Sequence, residues 1–248
     1  MSLARLASGL RLPKSSVHAL CGTLLAHGYL RRQVDGSFYI GPRVMPLADA
    51  FVAGTQVATE FNALFDGALA APEETVVLSV LDERDVVYVA AHNGLRPLGL
   101  AFRVGMRLPA YLAASGKAML AWQAPEAVRR LYADTNLPAS LGRQRPTQSF
   151  DAFEAELARI RAGDCSIDSE GVCEGVHGFG APVFDAGGGA VAGVAVCVQQ
   201  TVIDPATRHA HGATVNRVAR RLTERLGGRY PPAPESATSD RGQPTSAA

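Results

Sequence analysis

Leu12-Pro13-Lys14-Ser15-Ser16-Val17-His18-Ala19-Leu20-Cys21-Gly22-Thr23-Leu24-Leu25-Ala26-His27-Gly28 decides the fold at the front of this chain. Val17, Leu20, Cys21, Leu24 and Leu25 recur at i, i+3, i+4, i+7 and i+8, which predicts one buried face of a helix. Pro13 suits the first turn of that helix, where its missing N–H costs nothing, and Gly28 is placed to end it. Upstream, Leu3, Leu6 and Ala7 keep helical spacing, and Gly9 and Arg11 fall in a break. Downstream, residues 29–33 and 37–40 flank Val34-Asp35-Gly36, and Asp-Gly is a favoured tight-turn pair. Short helix, turn, longer helix and hairpin is the order of a winged helix-turn-helix.

Such a unit reads double-stranded DNA by placing the N-terminal residues of its second helix against base edges in the major groove. Lys14, Ser15 and Ser16 stand at that end. Lysine neutralises a phosphate or reaches guanine, and serine bonds phosphate oxygens or bases. His18 and Thr23 lie off the apolar face, and Arg31 and Arg32 give the hairpin a basic wing. An amphipathic helix beside a hairpin also occurs in many small cores, so charge has to separate the two readings. The net charge of +1, from 24 basic and 23 acidic residues, points to no nucleic acid when taken alone. Residues 1–45, however, hold six basic residues against Asp35, a local charge of +5 that leaves −4 for the remainder. That asymmetry is the electrostatic footprint of a DNA-binding module.

A length of 248 residues predicts one large domain or two smaller ones. With 47% hydrophobic and 19% charged residues, the composition excludes wholesale disorder. No apolar run reaches the roughly 18 residues of a membrane span, and the N-terminus is no secretory signal. The cytoplasm is therefore the expected compartment, with no membrane partner. Cys21, Cys165, Cys173 and Cys197 form no C-x-x-C pair, so neither a disulfide framework, a metal site nor a cofactor is expected. Helical spacing resumes over 43–69 with Val44, Leu47, Ala48 and Phe51 on one face. Strands are expected over 75–81, 86–91, 98–104, 180–184 and 190–198. Helices are expected over 113–122, 125–133, 150–162 and 204–227, the last with Val215, Val218, Leu222 and Leu226 facing inward. Short connections between strands predict an antiparallel α+β unit. Residues 229–248 are rich in Pro, Ser, Thr and Ala and read as a disordered tail.

Longer patterns resemble one family. Residues 12–18, then Leu24, then His27-Gly28-Tyr29-Leu30, then Tyr39-Ile40-Gly41-Pro42-Arg43 resemble the winged helix of the IclR family of bacterial transcriptional regulators. Gly105-Met106-Arg107-Leu108-Pro109 with Ala114-Ser115-Gly116-Lys117-Ala118 resembles that family's effector-binding domain. So do Asp168-Ser169-Glu170, Glu174-Gly175-Val176 and Ala181-Pro182-Val183-Phe184-Asp185. The resemblance implies a winged helix-turn-helix over 1–42, a linker helix over 43–56 and a GAF-like antiparallel-sheet effector-binding domain over 57–228. It implies a homodimer or homotetramer, and a small organic acid as effector. The pocket it implies is lined by Leu108, Ala114, Ser115, Asp168, Val176, Gly178, Ala195 and Cys197. Three departures accompany it. Ala19 replaces a usual arginine, Arg11 stands at the usual turn glycine, and a family helix that precedes the position of Ser2 is absent. Serines are frequent where this chain has Ala195 and Cys197, so its pocket is less polar and an aromatic acid is the expected ligand.

The chemistry of the second half supports no catalytic residue. Ser115-Gly116-Lys117 has the form of the end of a phosphate loop, but Tyr111 occupies the position of the upstream glycine. Ala113 likewise breaks the G-x-S-x-G frame of a hydrolase elbow around Ser115. Asp168 and Glu170 have no nucleophile beside them, and Asp168 either caps a loop or contacts a ligand. Gly187-Gly188-Gly189 reads as a hairpin turn rather than an anion nest. The function expected is a ligand-responsive, DNA-binding transcriptional regulator, repressor or activator. Two alternatives are a small-molecule-metabolising enzyme with an accessory N-terminal domain and a GAF-like sensor acting through a protein partner.

Overall fold

The structure, a computed structural model, describes residues 1–54, 56–66, 73–95, 102–141, 147–163, 165–199 and 204–230. The chain divides into two compact units, Met1–Thr55 and Gln56–Ala248.

The first unit contains α1 (Leu3–Leu10), α2 (Lys14–Ala26), β1 (Leu30–Arg32), β2 (Phe38–Ile40) and α3 (Val44–Gly54). Ser2 caps α1 by accepting from the Arg5 N–H. Gly9, placed in the break by its sequence, lies inside α1, and the chain turns at Arg11 in the left-handed region (φ 53°). Pro13 precedes α2 as its N-cap instead of occupying its first turn. Left-handed backbone opposes a Cβ, so Arg11→Gly is expected to stabilise this unit by about 1 kcal/mol. Thermal unfolding checks this, and an unchanged midpoint contradicts it. β1 and β2 pair antiparallel with Leu30 opposite Ile40 and Arg32 opposite Phe38. The hairpin closes on Gly36 at φ 80°, with the Ser37 N–H donating to Asp35 at 2.9 Å. That bond and the Ser37 hydroxyl hold the Asp35 carboxyl below its usual range.

The core of this unit is small: Ala7, Val17, Cys21 and Phe38, with Leu3, Leu6, Leu25 and Leu30 packed at its rim. Leu20 and Leu24, expected on the buried face, are instead 51% and 40% exposed. Val17 and Cys21 mark the flank of α2 that packs with Ala7 of α1 and Phe38 of β2, and Leu20 and Leu24 lie outside that cluster.

The second unit contains α4 (Gln56–Asp66), β3 (Thr75–Asp82), β4 (Asp85–His92), β5 (Arg107–Pro109), α5 (Ala114–Leu120) and α6 (Pro125–Tyr132). There follow β6 (Leu137–Pro138), β7 (Thr147–Gln148), α7 (Phe150–Arg161), β8 (Ser166–Ser169), β9 (Val176–Phe184), β10 (Ala190–Gln199) and α8 (Pro205–Arg225). Six strands form one sheet in the order β5-β4-β3-β10-β9-β8, and every pairing is antiparallel. The α+β expectation therefore holds. The third strand was expected over 98–104, but residues 96–101 lie outside the described ones and 102–104 form bend and turn. The strand is Arg107–Pro109, where Arg107 is held by Asp82 and Asp85 across the β3–β4 turn.

Alternation along the strands gives the sheet two faces. Gly180 and Gly193 face α5, all seven of whose residues are buried, while Phe179 faces α8 with its ring 5.3 Å from His211. On α8, Val215, Val218 and Leu222 are fully buried and Leu226 is half-buried. Of the tail expected over 229–248, residues 231–248 lie outside the described ones. Tyr230 packs edge-on against Phe184 and beneath Arg220.

Candidate functional site: an exposed basic helix start and a floor of small residues

In the first unit, Lys14, Ser15 and Ser16 form the exposed first turn of α2. No side chain caps that turn, so its outward N–H groups add to the Lys14 charge in favouring a phosphate. His18 and Thr23 are exposed, about 140° apart at 3.6 residues per turn, on either side of Ser15 and Ala19. Thr23 donates its hydroxyl to Ala19 O at 3.3 Å, which leaves its oxygen lone pairs outward. Arg31 and Arg32 lie exposed on β1. Arg32 is partly tied down, donating from Nε to Gly36 O at 3.4 Å and standing over the Phe38 ring. The exposed basic and hydroxyl groups thus follow one another from the start of α2 into the hairpin.

The second surface lies on the α5 face of the sheet. Register places Asp168, Gly178, Cys197 and Thr75 side by side across β8, β9, β10 and β3. The next row is Ser166, Gly180, Ala195 and Val77. Ala114 leans over the first row, its Cβ 3.3 Å from where a Gly178 Cβ would stand, with the Asp168 Cβ at 3.5 Å. Ala114, Asp168, Gly178, Ala195 and Cys197 are thereby brought together as a floor of small side chains with one carboxylate at its edge. Val176 opens β9 beside them, and Leu108 sits on β5 at the opposite edge of the sheet.

Ser115 is placed differently. Its Oγ accepts from the Ser79 hydroxyl at 2.8 Å, and both side chains are fully buried beneath α5. It fastens the helix to β3 and does not reach the open floor. Lys117, which completed the phosphate-loop likeness, ion-pairs with Glu156 at 2.5 Å and donates to Ile167 O at 2.6 Å. It joins α5 to α7 and β8.

Asp168 accepts from the Gly171 N–H at 2.7 Å and the Val172 N–H at 3.4 Å. It therefore caps the turn after β8, and only 8% of the residue is exposed. Sequence reasoning missed Tyr88. It lies on the same face, opposite Ser79, 3% exposed, with its ring 5.9 Å from Phe102. Among the described residues its hydroxyl has no hydrogen-bond partner. Burial, with Cys197 and Asp168 nearby, pushes that hydroxyl well above the usual phenol range. Burial and then Asp168 likewise push the Cys197 thiol up. The phenol and the thiol are therefore neutral at neutral pH, and the polar groups of the floor are the Asp168 carboxylate, the Tyr88 phenol and the uncapped start of α5. Among the described residues no group of three His, Cys, Asp or Glu is arranged to hold a metal ion. No described helix is long and apolar enough to cross a membrane.

Comparison with known proteins matches both units. Residues 1–34 match the model of the IclR helix-turn-helix domain, and residues 50–224 match that of the bacterial transcriptional regulator IclR C-terminal region. The chain is 23% identical over 235 residues to the Escherichia coli HTH-type transcriptional regulator KdgR, covering 92% of this chain and 86% of that one. It is similar to the crystal structure of the Agobacterium tumefaciens repressor BlcR, at 32% identity and TM-score 0.63, over 93% of this chain and 91% of that one. It also shares its fold with an IclR homologue from Microbacterium hydrocarbonoxydans crystallised with 4-hydroxybenzoate, at 18% identity and TM-score 0.64. That match covers 91% of both chains.

Proposed function

We propose that this chain, which belongs to the IclR family of bacterial transcriptional regulators, holds a small aromatic acid on the α5 face of its second unit. That ligand adjusts the affinity of the first unit for operator DNA. The observation that carries the reading is the floor of Ala114, Gly178, Ala195 and Cys197, edged by Asp168, with buried Tyr88 on the same face of the sheet. Small apolar side chains leave room for a flat ring, and a few convergent polar groups fix its direction. A ring hydroxyl donates to Asp168, Tyr88 answers a second polar substituent, and the ligand carboxylate takes the uncapped N–H groups at the start of α5. Val176 walls one side of the ring, and Leu108 closes the apolar cluster at the far edge. The 4-hydroxybenzoate bound by the Microbacterium homologue has this chemistry.

DNA is met by Lys14, Ser15, Ser16, His18, Thr23, Arg31 and Arg32. A homodimer or homotetramer presents two such surfaces about 34–36 Å apart, or a multiple, to successive turns of the major groove. Ligand shifts the balance between two arrangements of that assembly, a coupling of about 1–3 kcal/mol. The protein acts in the cytoplasm as a regulator without enzymatic activity, as its relatives' names support.

Calorimetric titration tests the ligand class. 4-Hydroxybenzoate is expected to bind at least tenfold tighter than pyruvate, and Tyr88→Phe to weaken it about threefold to tenfold, the value of one neutral hydrogen bond. Binding of two- and three-carbon acids alone contradicts the reading.

A further inference from the structure

A second concavity lies away from the α5 floor. β8 is an edge strand of the sheet, and a hollow of about 270 Å³ opens beside it between α7 and α8. Arg159 and Ile160 of α7, Cys165 and Ile167 at β8, and Arg208 of α8 line it. A larger hollow of about 630 Å³ continues from it along α8, sharing Cys165 and Arg208 and adding His209, Gly212 and Asn216. Together they offer the room of an ordinary small-molecule site.

Among the described residues, the arginines that line it are not paired with a carboxylate. On the same two helices, Arg161 donates to Ala121 O and Gln123 O, and Arg225 pairs with Glu60 at 2.5 Å. Arg159 and Arg208 have no side-chain partner among the described residues. The carboxylate that does line the hollow, Glu156, is already held by Lys117 at 2.5 Å and Gln148 at 3.3 Å. Two guanidinium groups therefore converge on one concavity, although the chain beyond residue 45 carries a net −4. α8 is itself basic, with Arg208, Arg217, Arg220, Arg221 and Arg225 against Glu224, so what sets Arg159 and Arg208 apart is the hollow they share. A planar guanidinium presents paired donors that match the oxygens of a phosphate, and two of them balance a dianion. The apolar floor of Ile160 and Ile167, with the bare Cα of Gly212 beyond, suits a ring or short alkyl group.

We propose that these joined hollows are a second small-molecule site, for a phosphate monoester bearing a small apolar or ring substituent, bound by Arg159 and Arg208. The site is independent of the aromatic-acid reading. Phenyl phosphate titrated calorimetrically into the full chain at physiological salt is the test. Saturable binding tighter than about 1 mM is expected. Arg159→Gln with Arg208→Gln is expected to weaken it at least tenfold. Arg217→Gln, an exposed α8 arginine outside both hollows, leaves it unchanged. Phenylacetate, with the same ring and one charge, is expected to bind at least tenfold more weakly. The two substituted side chains are exposed, so the melting temperature reports an intact fold. No saturable binding by the unaltered protein, equal binding by the double variant, equal loss in Arg217→Gln, or equal binding of phenylacetate each overturns the proposal.

Discussion

Gly180→Ala is expected to destabilise the second unit on the order of 4 kcal/mol, enough to leave much of it unfolded at 37 °C. A Cβ at this position would fall on the carbonyl carbon and oxygen of Ala114 and lie 2.8 Å from the Ser115 nitrogen. Both are backbone atoms, and α5 cannot yield because all seven of its residues are buried. Gly193 makes the same allowance one strand over, where its Cβ would meet the Ser115 carbonyl. The floor exists because these two glycines let a helix settle on the sheet at backbone contact distance. Gly189→Ala is the control: the added methyl makes only ordinary contact with Asp185, so a change within about 1 kcal/mol is expected. Circular dichroism during urea unfolding separates the two. Equal midpoints for Gly180→Ala and the unaltered protein would falsify the packing argument.

The second large effect belongs to Lys117. Its ammonium group, with a side chain only 9% exposed, joins Glu156 of α7 to the Ile167 carbonyl of β8. Lys117→Met removes the charge while keeping most of the side-chain length. It leaves a half-buried carboxylate and a carbonyl without their donor, a loss of roughly 2–3 kcal/mol. Because the penalty comes from the abandoned carboxylate, adding Glu156→Leu is expected to restore most of it. A double variant no more stable than Lys117→Met contradicts this account.

Both effects rest on contacts between residues far apart in the chain, and this explains what the sequence disclosed and what it hid. Local rules carried the hairpin at Asp35-Gly36, the β-branched strands β3 and β4, and the helical spacing of Phe150, Phe153, Leu157 and Ile160. β5 escaped because Arg107-Leu108-Pro109 carries a charge and a proline, and its strand state depends on pairing with β4. β8 escaped because Ser166-Ile167-Asp168-Ser169 is short and polar, as edge strands are. Leu20 and Leu24 have the spacing of core residues, but spacing does not say which flank a neighbour covers. At the floor, Gly178, Ala195 and Cys197 came from the family resemblance; the β period alone puts Ala195 and Cys197 on one face of β10, and only the β9–β10 register brings Gly178 beside them. The bond of the Ser115 hydroxyl to Ser79 was hidden because its partner is 36 positions away. Tyr88 passed unnoticed because a tyrosine within Val86-Val87-Tyr88-Val89 reads as strand filling, and only the fold shows it buried on the α5 face, opposite Ser79.

In the function proposed, the exposed face of α2 and its hairpin bind DNA, and a ligand on the α5 floor changes that affinity. The most direct measurement is fluorescence anisotropy of the full chain on labelled duplex from upstream of its own gene, from low to physiological salt, with and without saturating 4-hydroxybenzoate. The logarithm of the association constant is expected to fall linearly with the logarithm of salt concentration. Lys14→Ala is expected to weaken binding and reduce that slope by about 1, and ligand is expected to shift affinity about 5-fold to 150-fold. Binding independent of salt and unchanged by Lys14→Ala, with equal affinity in the two ligand conditions, would contradict the account.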